Sequence, residues 1–137
     1  MTGIHTLQQI LNDRGGDCGN LSSVFITLLR ANKIPARHVV GMRPNGECHI
    51  WAEFYLDNAG WIPADVTADL KTESLAHFGK IKADCIVMHK DIFFQIYDGK
   101  KMTDLVFLQT YAYWSWSTRK SGKFRCSLKF EGTKIAR

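Results

Sequence analysis

The chain has 137 residues, of which 45% are hydrophobic and 23% are charged. This composition predicts one globular domain over residues 1–137, standing alone or as part of a longer protein. No run of eighteen apolar residues occurs, so we expect no transmembrane helix. The opening MTGIHTLQQI lacks the basic and then apolar pattern of a signal peptide, and the compartment stays unknown.

The net charge of +5 is unevenly distributed along the chain. Residues 1–70 hold five Lys/Arg against seven Asp/Glu, whereas residues 71–137 hold thirteen against six. The basic residues of the second half are scattered, which favours a solvated basic face over a nucleic-acid or anionic surface contact. We therefore expect no nucleic-acid partner. Aromatic residues beside Arg119 and Lys120 could stack bases, although an alternating strand explains them as well: Tyr111, Tyr113, Trp114 and Trp116.

The four cysteines are widely spaced: Cys18, Cys48, Cys85 and Cys126. No C-x-x-C pair occurs, which argues against a zinc site and against thioredoxin-like chemistry. No acidic cluster has the pattern of a calcium loop. We therefore expect neither a metal nor an organic cofactor, and a chain of this length does not need disulfides.

Two helices are predicted first along the chain. The first covers residues 6–12, and a turn follows over residues 13–17. Asp17 is suited to cap the second helix, while Asn32 and Pro35 mark its end. Its apolar residues recur at the spacing of one buried helix face: Leu21, Val24, Phe25, Leu28 and Leu29. Cys18 falls on that same face, in the first turn.

Strands are predicted next, over residues 37–42 and 48–56, joined by a turn at 43–46. The second strand alternates between an apolar face (Ile50, Ala52, Phe54 and Leu56) and a polar face, on which a histidine usually meets solvent (His49, Trp51, Glu53 and Tyr55). A three-residue loop, residues 57–59, would pair Leu56 with Gly60 and return the chain as a strand over 61–65. Pro63 within that strand indicates an edge or a bulge.

The remainder is predicted to hold a short helix near residues 73–77 and strands near 84–88, 92–97, 106–113 and 124–130. Cys85 and Cys126 fall in two of these strands. The fold class is therefore α+β, with N-terminal helices packed on a mostly antiparallel sheet. The other histidines show no spacing that pairs them with acids or thiols, and we expect them at the surface: His5, His38, His77 and His89.

The segment GGDCGN, residues 15–20, places a thiol at the start of a helix. The partial positive charge of a helix N-terminus favours the thiolate form of a cysteine. Gly16 and Gly19 would leave room for a substrate backbone to come close to Cys18. The alternative is a turn that happens to contain a thiol.

A nucleophilic cysteine also needs a base, and a group that orients the base. His49 is the candidate base, although taken alone it could equally be a surface residue. In the register of the three-residue loop, Asp65 lies opposite Trp51, on the face of His49 and one diagonal away. A register shifted by one residue would move Asp65 to the other face. The triad interpretation therefore depends on the loop length. Glu53 is expected to pair with Arg37 or Arg43 and not with His49.

Three segments together resemble the transglutaminase-like superfamily, which shares the papain-like cysteine-proteinase core. They are GGDCGNLSSVFITLLRANKIPARHVVG with its cysteine at a helix start, HIWAEFYL with an H-x-W-x-E pattern, and GWIPADVT with a W-x-P-x-D pattern. The candidates Cys18, His49 and Asp65 follow one another at intervals of 31 and 16 residues. The resemblance is strongest over residues 7–67 and looser in the tail.

This resemblance implies acyl transfer through a thioester on a cysteine. Cys18 would be the nucleophile, His49 the base and later the acid, and Asp65 the residue that orients His49. The backbone N–H of Cys18 would meet the oxyanion, and Asn12 lies where papain-like enzymes keep a glutamine donor. Trp51 is a candidate for substrate contact, with core packing as its alternative.

The implied substrate is a peptide or a protein. Water as the acceptor would make the protein a cysteine peptidase or amidase, which we expect, and an amine acceptor would make it a protein-glutamine crosslinking transglutaminase. The alternative from another class is a non-catalytic peptide-binding module on the same fold. The sequence leaves the oligomeric state open.

Overall fold

The structure is a computed structural model that describes residues 5–43, 45–81, 85–90, 93–97 and 99–106. Within these ranges the chain forms three helices and six strands. Their order is α1 (Leu7–Asp13), α2 (Cys18–Ala31), β1 (Ala36–Met42), β2 (Cys48–Leu56), β3 (Gly60–Ala64), α3 (Val66–Thr72), β4 (Ile86–His89), β5 (Phe93–Tyr97) and β6 (Met102–Val106). The predicted α+β class is confirmed.

The first two helices begin and end at residues suited to do so. Thr6 and Gln9 form a reciprocal capping box at the start of α1. Asp17 caps α2, where its side chain accepts a hydrogen bond from the Asn20 N–H, and Asn32 is the C-cap. The predicted boundaries of α2 are therefore confirmed, and Cys18 is its first residue.

Four strands form an antiparallel sheet in the order β3-β2-β1-β4, and β5 pairs with β6 in a separate two-stranded sheet. Leu56 pairs with Gly60, which confirms the predicted three-residue loop. The edge position of β3 in its sheet accommodates Pro63, as predicted. The order places β2 in the interior of the sheet, so the strand that carries His49 is flanked on both sides.

The core lies between α2 and the β1-β2-β3 part of the sheet. Ile26 of α2 packs there with Ala36, Ala52, Phe54 and Ala64. The predicted helix face is only partly correct, since the fully buried positions are Gly19, Asn20, Ser22 and Ile26, and Leu28 is 60% exposed. Small side chains let a helix approach a sheet closely, and a pattern of large apolar residues does not reveal such a face.

The predicted helix near residues 73–77 is wrong. The helix is α3, Val66–Thr72, and it begins earlier because Asp65 caps it by accepting the Ala68 N–H. It ends because Glu73 takes the left-handed conformation with φ 47°. The consequence for the site is that Asp65 lies at a helix start, one residue after β3 ends.

The later strands are partly as predicted. β4 and β5 overlap the strands expected near residues 84–88 and 92–97, whereas β6 lies before the expected 106–113 and shares only Val106 with it. Residues 107–113, the strand predicted at 124–130, Cys126 and the aromatic residues 111–116 lie outside the described residues. Over the ranges described, no helix has the length and apolar character needed to cross a membrane.

Candidate active site

Cys18 is half-buried at the first position of α2, behind a tight turn. The Asp17 carboxylate accepts the Asn20 N–H at 3.0 Å, so it is held against the helix start. A Cβ on Gly16 would lie 2.6 Å from the Asn20 Cβ, which explains why glycine precedes the capping residue. The GGDCGN segment is thus a compact capping turn that presents the thiol at a helix N-terminus.

His49 and Asp65 form a short buried pair. His49 Nε2 and Asp65 Oδ2 are 2.7 Å apart, and each side chain is 7% exposed. The other oxygen of Asp65 accepts the Ala68 N–H at 3.0 Å, so one carboxylate both caps α3 and holds the imidazole. The predicted solvent exposure of His49 is wrong, because its side chain is covered at this end of β2.

The imidazole connects this carboxylate to the thiol. Asp65 is hydrogen-bonded to Nε2 of the His49 ring, so Nδ1 is the ring nitrogen that is left for Cys18. Burial alone would raise the pKa of Cys18, but the hydrogen bond with His49, one with the Ile50 N–H and the imidazolium charge outweigh burial and lower it. Burial opposes the charged form of His49 as well, yet the bonds with Asp65 and Cys18 raise its pKa to about 9.

Asp65 completes this charge distribution. Burial would raise the pKa of its carboxyl group, but the hydrogen bond with His49 and the one with the Ala68 N–H lower it. All three shifts favour a thiolate beside an imidazolium that is held by a carboxylate. This is the charge state that a cysteine nucleophile needs.

The two remaining sequence candidates do not line the cleft around Cys18. Trp51 is 1% exposed, and its ring stacks on His49 with centroids 6.2 Å apart. A Cβ on Gly41 would lie 2.5 Å from Trp51 Cζ3, so the ring lies closely over the neighbouring strand. Asn12 is exposed on α1 and accepts a hydrogen bond from Gln8 Nε2 at 2.9 Å. The structure thus gives Trp51 contact with the His49 ring and leaves Asn12 apart from the thiol.

The three residues open onto a cleft of about 690 Å³. It is lined by Gly16, Asp17, Cys18, Arg43, Glu47, Cys48, His49, Asp65, Thr67, Ala68, Lys71, Thr72, His77, Ile81 and Cys85. Cys48, the first residue of β2, also reaches the cleft. Burial and the Cys18 charge raise its pKa to about 11. Cys85 lines the cleft just before β4, half-buried and reduced.

Sequence reasoning missed a second carboxylate–imidazole pair, of which His77 lines this cleft. Asp69 Oδ1 accepts the backbone N–H of His77 at 2.8 Å and lies 3.1 Å from His77 Nδ1. His77 was expected at the surface, as was His38, which is buried and hydrogen-bonded to Ser23 at 3.0 Å. The signal in the sequence was the i, i+4 spacing of Asp65 and Asp69, which places the two carboxylates one turn apart at the start of a helix.

Glu53 does not contact His49, and no metal site is found among the described residues. Glu53 pairs with Arg37 at 2.8 Å and also with Lys90, as expected of a residue that does not serve His49. Within the described ranges, no group of three or more His, Cys, Asp or Glu residues could hold a metal ion.

The comparisons with known proteins bear on the N-terminal half. The family model of the transglutaminase-like superfamily matches residues 1–66, a segment that contains Cys18, His49 and Asp65. An uncharacterized protein from Haemophilus influenzae is 34% identical over 86 residues, covering 44% of this chain and 23% of that protein. The chain therefore matches less than a quarter of that relative's length. No solved structure matches the chain. The resemblance drawn from the three motifs is confirmed over residues 1–66.

Proposed function

Because residues 1–66 of this chain belong to the transglutaminase-like superfamily, we propose that it is a cysteine-dependent acyl-transfer enzyme. Its substrate is a peptide or protein amide, and its main reaction is hydrolysis. The observation that carries the proposal is the hydrogen-bonded series from Asp65 through His49 to Cys18, with its 2.7 Å buried link. Packing alone requires no such series, since burying three ionisable groups together opposes folding unless each is paired.

The first half-reaction forms a thioester. The Cys18 thiolate attacks the amide carbonyl carbon, and the oxyanion is stabilised by the backbone N–H of Cys18 at the start of α2. The His49 imidazolium then donates its Nδ1 proton to the leaving nitrogen, so that the C–N bond breaks and a neutral amine departs. Asp65 keeps the Nε2 proton in place and remains ionised throughout.

The second half-reaction reverses the roles. Neutral His49 takes a proton from the incoming nucleophile, which attacks the thioester and releases Cys18 as the thiolate. Water yields a carboxylic acid, the product of a peptidase or amidase. A substrate amine yields a new amide, the product of a crosslinking transglutaminase. Both outcomes share the same residues and differ only in the acceptor.

The first test measures thiol activation without any knowledge of the substrate. We expect iodoacetamide to alkylate Cys18 well below pH ~8.5, the value of a free thiol. Cys48 and Cys85 line the same cleft and serve as internal controls in site-resolved mass spectrometry. His49→Ala should remove the advantage of Cys18, because burial then acts without a compensating imidazolium. If Cys18 reacts no faster than Cys48, the non-catalytic binding module becomes the better interpretation.

A second measurement follows the acyl group. p-Nitrophenyl acetate should acetylate Cys18 with release of p-nitrophenolate, and Cys18→Ala accounts for acetylation elsewhere. Loss of the acetyl group in buffer alone indicates a hydrolase. Loss that requires added methylamine indicates a transferase, and a stable acetyl-enzyme under both conditions would contradict turnover at this site.

A further inference from the structure

One wall of the cleft carries groups that the proposed triad does not use. It is formed by α3 and the segment that follows it, which contribute Thr67, Lys71 and His77 to the lining. Lys71 lies one helical turn after Thr67, on the same face of α3. The buried hydroxyl of Thr67 has no hydrogen-bond partner in the described part of the chain. Lys71 and His77 of this wall therefore offer polar groups toward the volume that a substrate would fill, whereas the Thr67 hydroxyl is covered.

The carboxylates of the cleft are already engaged within the protein. Asp17 accepts the Asn20 N–H, Glu47 faces Arg43 at 3.7 Å, and Asp65 holds His49. Arg43 has Glu47 as an exposed ion-pair partner, and it also helps to lower the pKa of Asp65. Across the ranges described, no carboxylate forms an ion pair with Lys71. Of the two lysine or arginine side chains among the described residues of the cleft, Lys71 is the one without an ion-pair partner.

His77 is held so that one ring nitrogen remains for the cleft. Asp69 engages the backbone N–H and Nδ1 of His77, and the imidazole is 21% exposed. Nε2 is therefore the nitrogen that can meet a ligand. In the protonated form both nitrogens donate, Nδ1 to Asp69 and Nε2 to an acceptor in the cleft.

We propose that Lys71 and His77 form an anion-recognition wall that binds a carboxylate of the acyl substrate. The substrate is then an acidic peptide, with the carboxylate supplied by an aspartate or glutamate side chain or by the chain end. This inference rests on the proposed function, because Cys18 in the same cleft supplies the reaction. It names Lys71 and His77 as residues that determine specificity, separate from the triad.

The test uses matched reagents that differ by one charge. N-chloroacetyl-glutamate α-amide and N-chloroacetyl-glutamine α-amide both alkylate thiols and have nearly the same shape. The rate constant at Cys18 should be about fivefold higher for the glutamate reagent, the effect of one ion pair at about 4 Å in water. Added salt should reduce that ratio. N-chloroacetyl-glutamine with a free α-carboxylate, as a third reagent, distinguishes a chain-end carboxylate from a side-chain one.

Variants of Lys71 and His77 test whether these residues cause the difference in rate between the glutamate and glutamine reagents. Lys71→Gln should bring the ratio close to one, and His77→Gln should lower it less. Lys33→Gln is the matched control, because it makes the same charge change just after α2 ends, about 20 Å from Cys18 at 1.5 Å per residue. If Lys71 only stabilised the C-terminal turn of α3, Lys71→Gln would leave the ratio of the two rate constants at Cys18 unchanged.

The outcomes separate this inference from the function on which it rests. Equal rates for the two reagents, or a ratio that survives Lys71→Gln, would overturn the anion-recognition wall even if Cys18 is highly reactive. Slow labelling of Cys18 by every reagent would instead count against the proposed function. Circular dichroism of each variant checks that the exposed substitutions leave the fold intact.

Discussion

Two carboxylate–imidazole pairs originate from one short helix, and they differ in their surroundings. Asp65 caps α3 and holds His49 at 2.7 Å, with both side chains 7% exposed. Asp69, four residues later, holds His77 at 3.1 Å at a position that solvent reaches. The first pair lies against an interior strand and contacts Cys18. The second connects α3 to the segment that follows it.

The difference shows that the residue types of such a pair do not define its role. His49 has Trp51 stacked on its ring. Burial would lower the pKa of His49, but the hydrogen bonds with Asp65 and Cys18 raise it to about 9. His77 has one carboxylate and an open side toward the cleft. We therefore assign the first pair to the chemistry of the thiol and the second to contact with the substrate.

The two pairs should differ most in how much each carboxylate contributes to the stability of the fold. Asp65→Ala leaves His49 buried without its carboxylate and α3 without its cap, so we expect a loss of about 3–5 kcal/mol in the free energy of unfolding. Asp69→Ala should cost less, about 1–3 kcal/mol, since the His77 groups that lose their partner are nearer to water. Urea denaturation of the two variants measures the difference, and equal losses would contradict it.

A smaller effect tests how the packing of Trp51 supports the His49–Asp65 pair. In Gly41→Ala the new Cβ would lie 2.5 Å from Trp51 and 2.9 Å from the Ile86 carbonyl oxygen, so the ring that stacks on His49 must shift. We expect a loss of about 1–3 kcal/mol from overpacking and slower alkylation of Cys18. Gly15→Ala is the control, because its nearest neighbour would be an oxygen at 3.9 Å. A Gly41→Ala variant with native stability would show that Trp51 moves freely.

The smallest effect concerns pH. His49 has a pKa raised from 6.5 to about 9, so its contribution to stability is complete below pH 6.5 and is lost as the pH rises through about 9. Cys18 has a pKa lowered from 9.0, so its contribution grows as the pH rises toward 9.0. The two trends offset each other in the wild type. Cys18→Ser removes the second trend and the part of the His49 shift that Cys18 causes, and it leaves the part that Asp65 causes.

Relative to the wild type, Cys18→Ser should therefore lose about 1 kcal/mol of stability as the pH rises above 6.5 toward 9. Denaturant titrations at several pH values in this window measure the change. The double variant with His49→Gln should show no such trend, because the titrating imidazole is gone. Parallel profiles for Cys18→Ser and the wild type would argue that the thiolate does not form in this window.

Local features of the site were well predicted from the sequence. The Asp17 cap, the position of Cys18 at the start of α2 and the three-residue loop between β2 and β3 each depend on a few neighbouring residues. The loop length sets the register, and the register places Asp65 beside the strand of His49. Three motifs in order were also enough to identify the family over residues 1–66.

Features that depend on distant contacts were predicted poorly. His49 was expected to face solvent because an alternating strand is usually covered on one face, whereas both faces of β2 are buried from His49 to Ala52. The helix after β3 was placed too late, since Asp65 was interpreted as a strand residue and not as a cap. Cys48 also lines the cleft, because alternation along β2 does not decide what a side chain meets at the end of the strand.

The sequence by itself determined the order of the elements, the Asp17 cap, the β2–β3 register and the identity of Cys18, His49 and Asp65 as candidates. These depend on hydrogen bonds and periodicities within a few residues. Only the tertiary structure decided the burial of His49, the position of α3 and the meeting of Lys71 and His77 with the thiol in one cleft. Burial, and the pKa shifts that follow from it, are set by segments far apart in the chain, and no local pattern records which of them will meet.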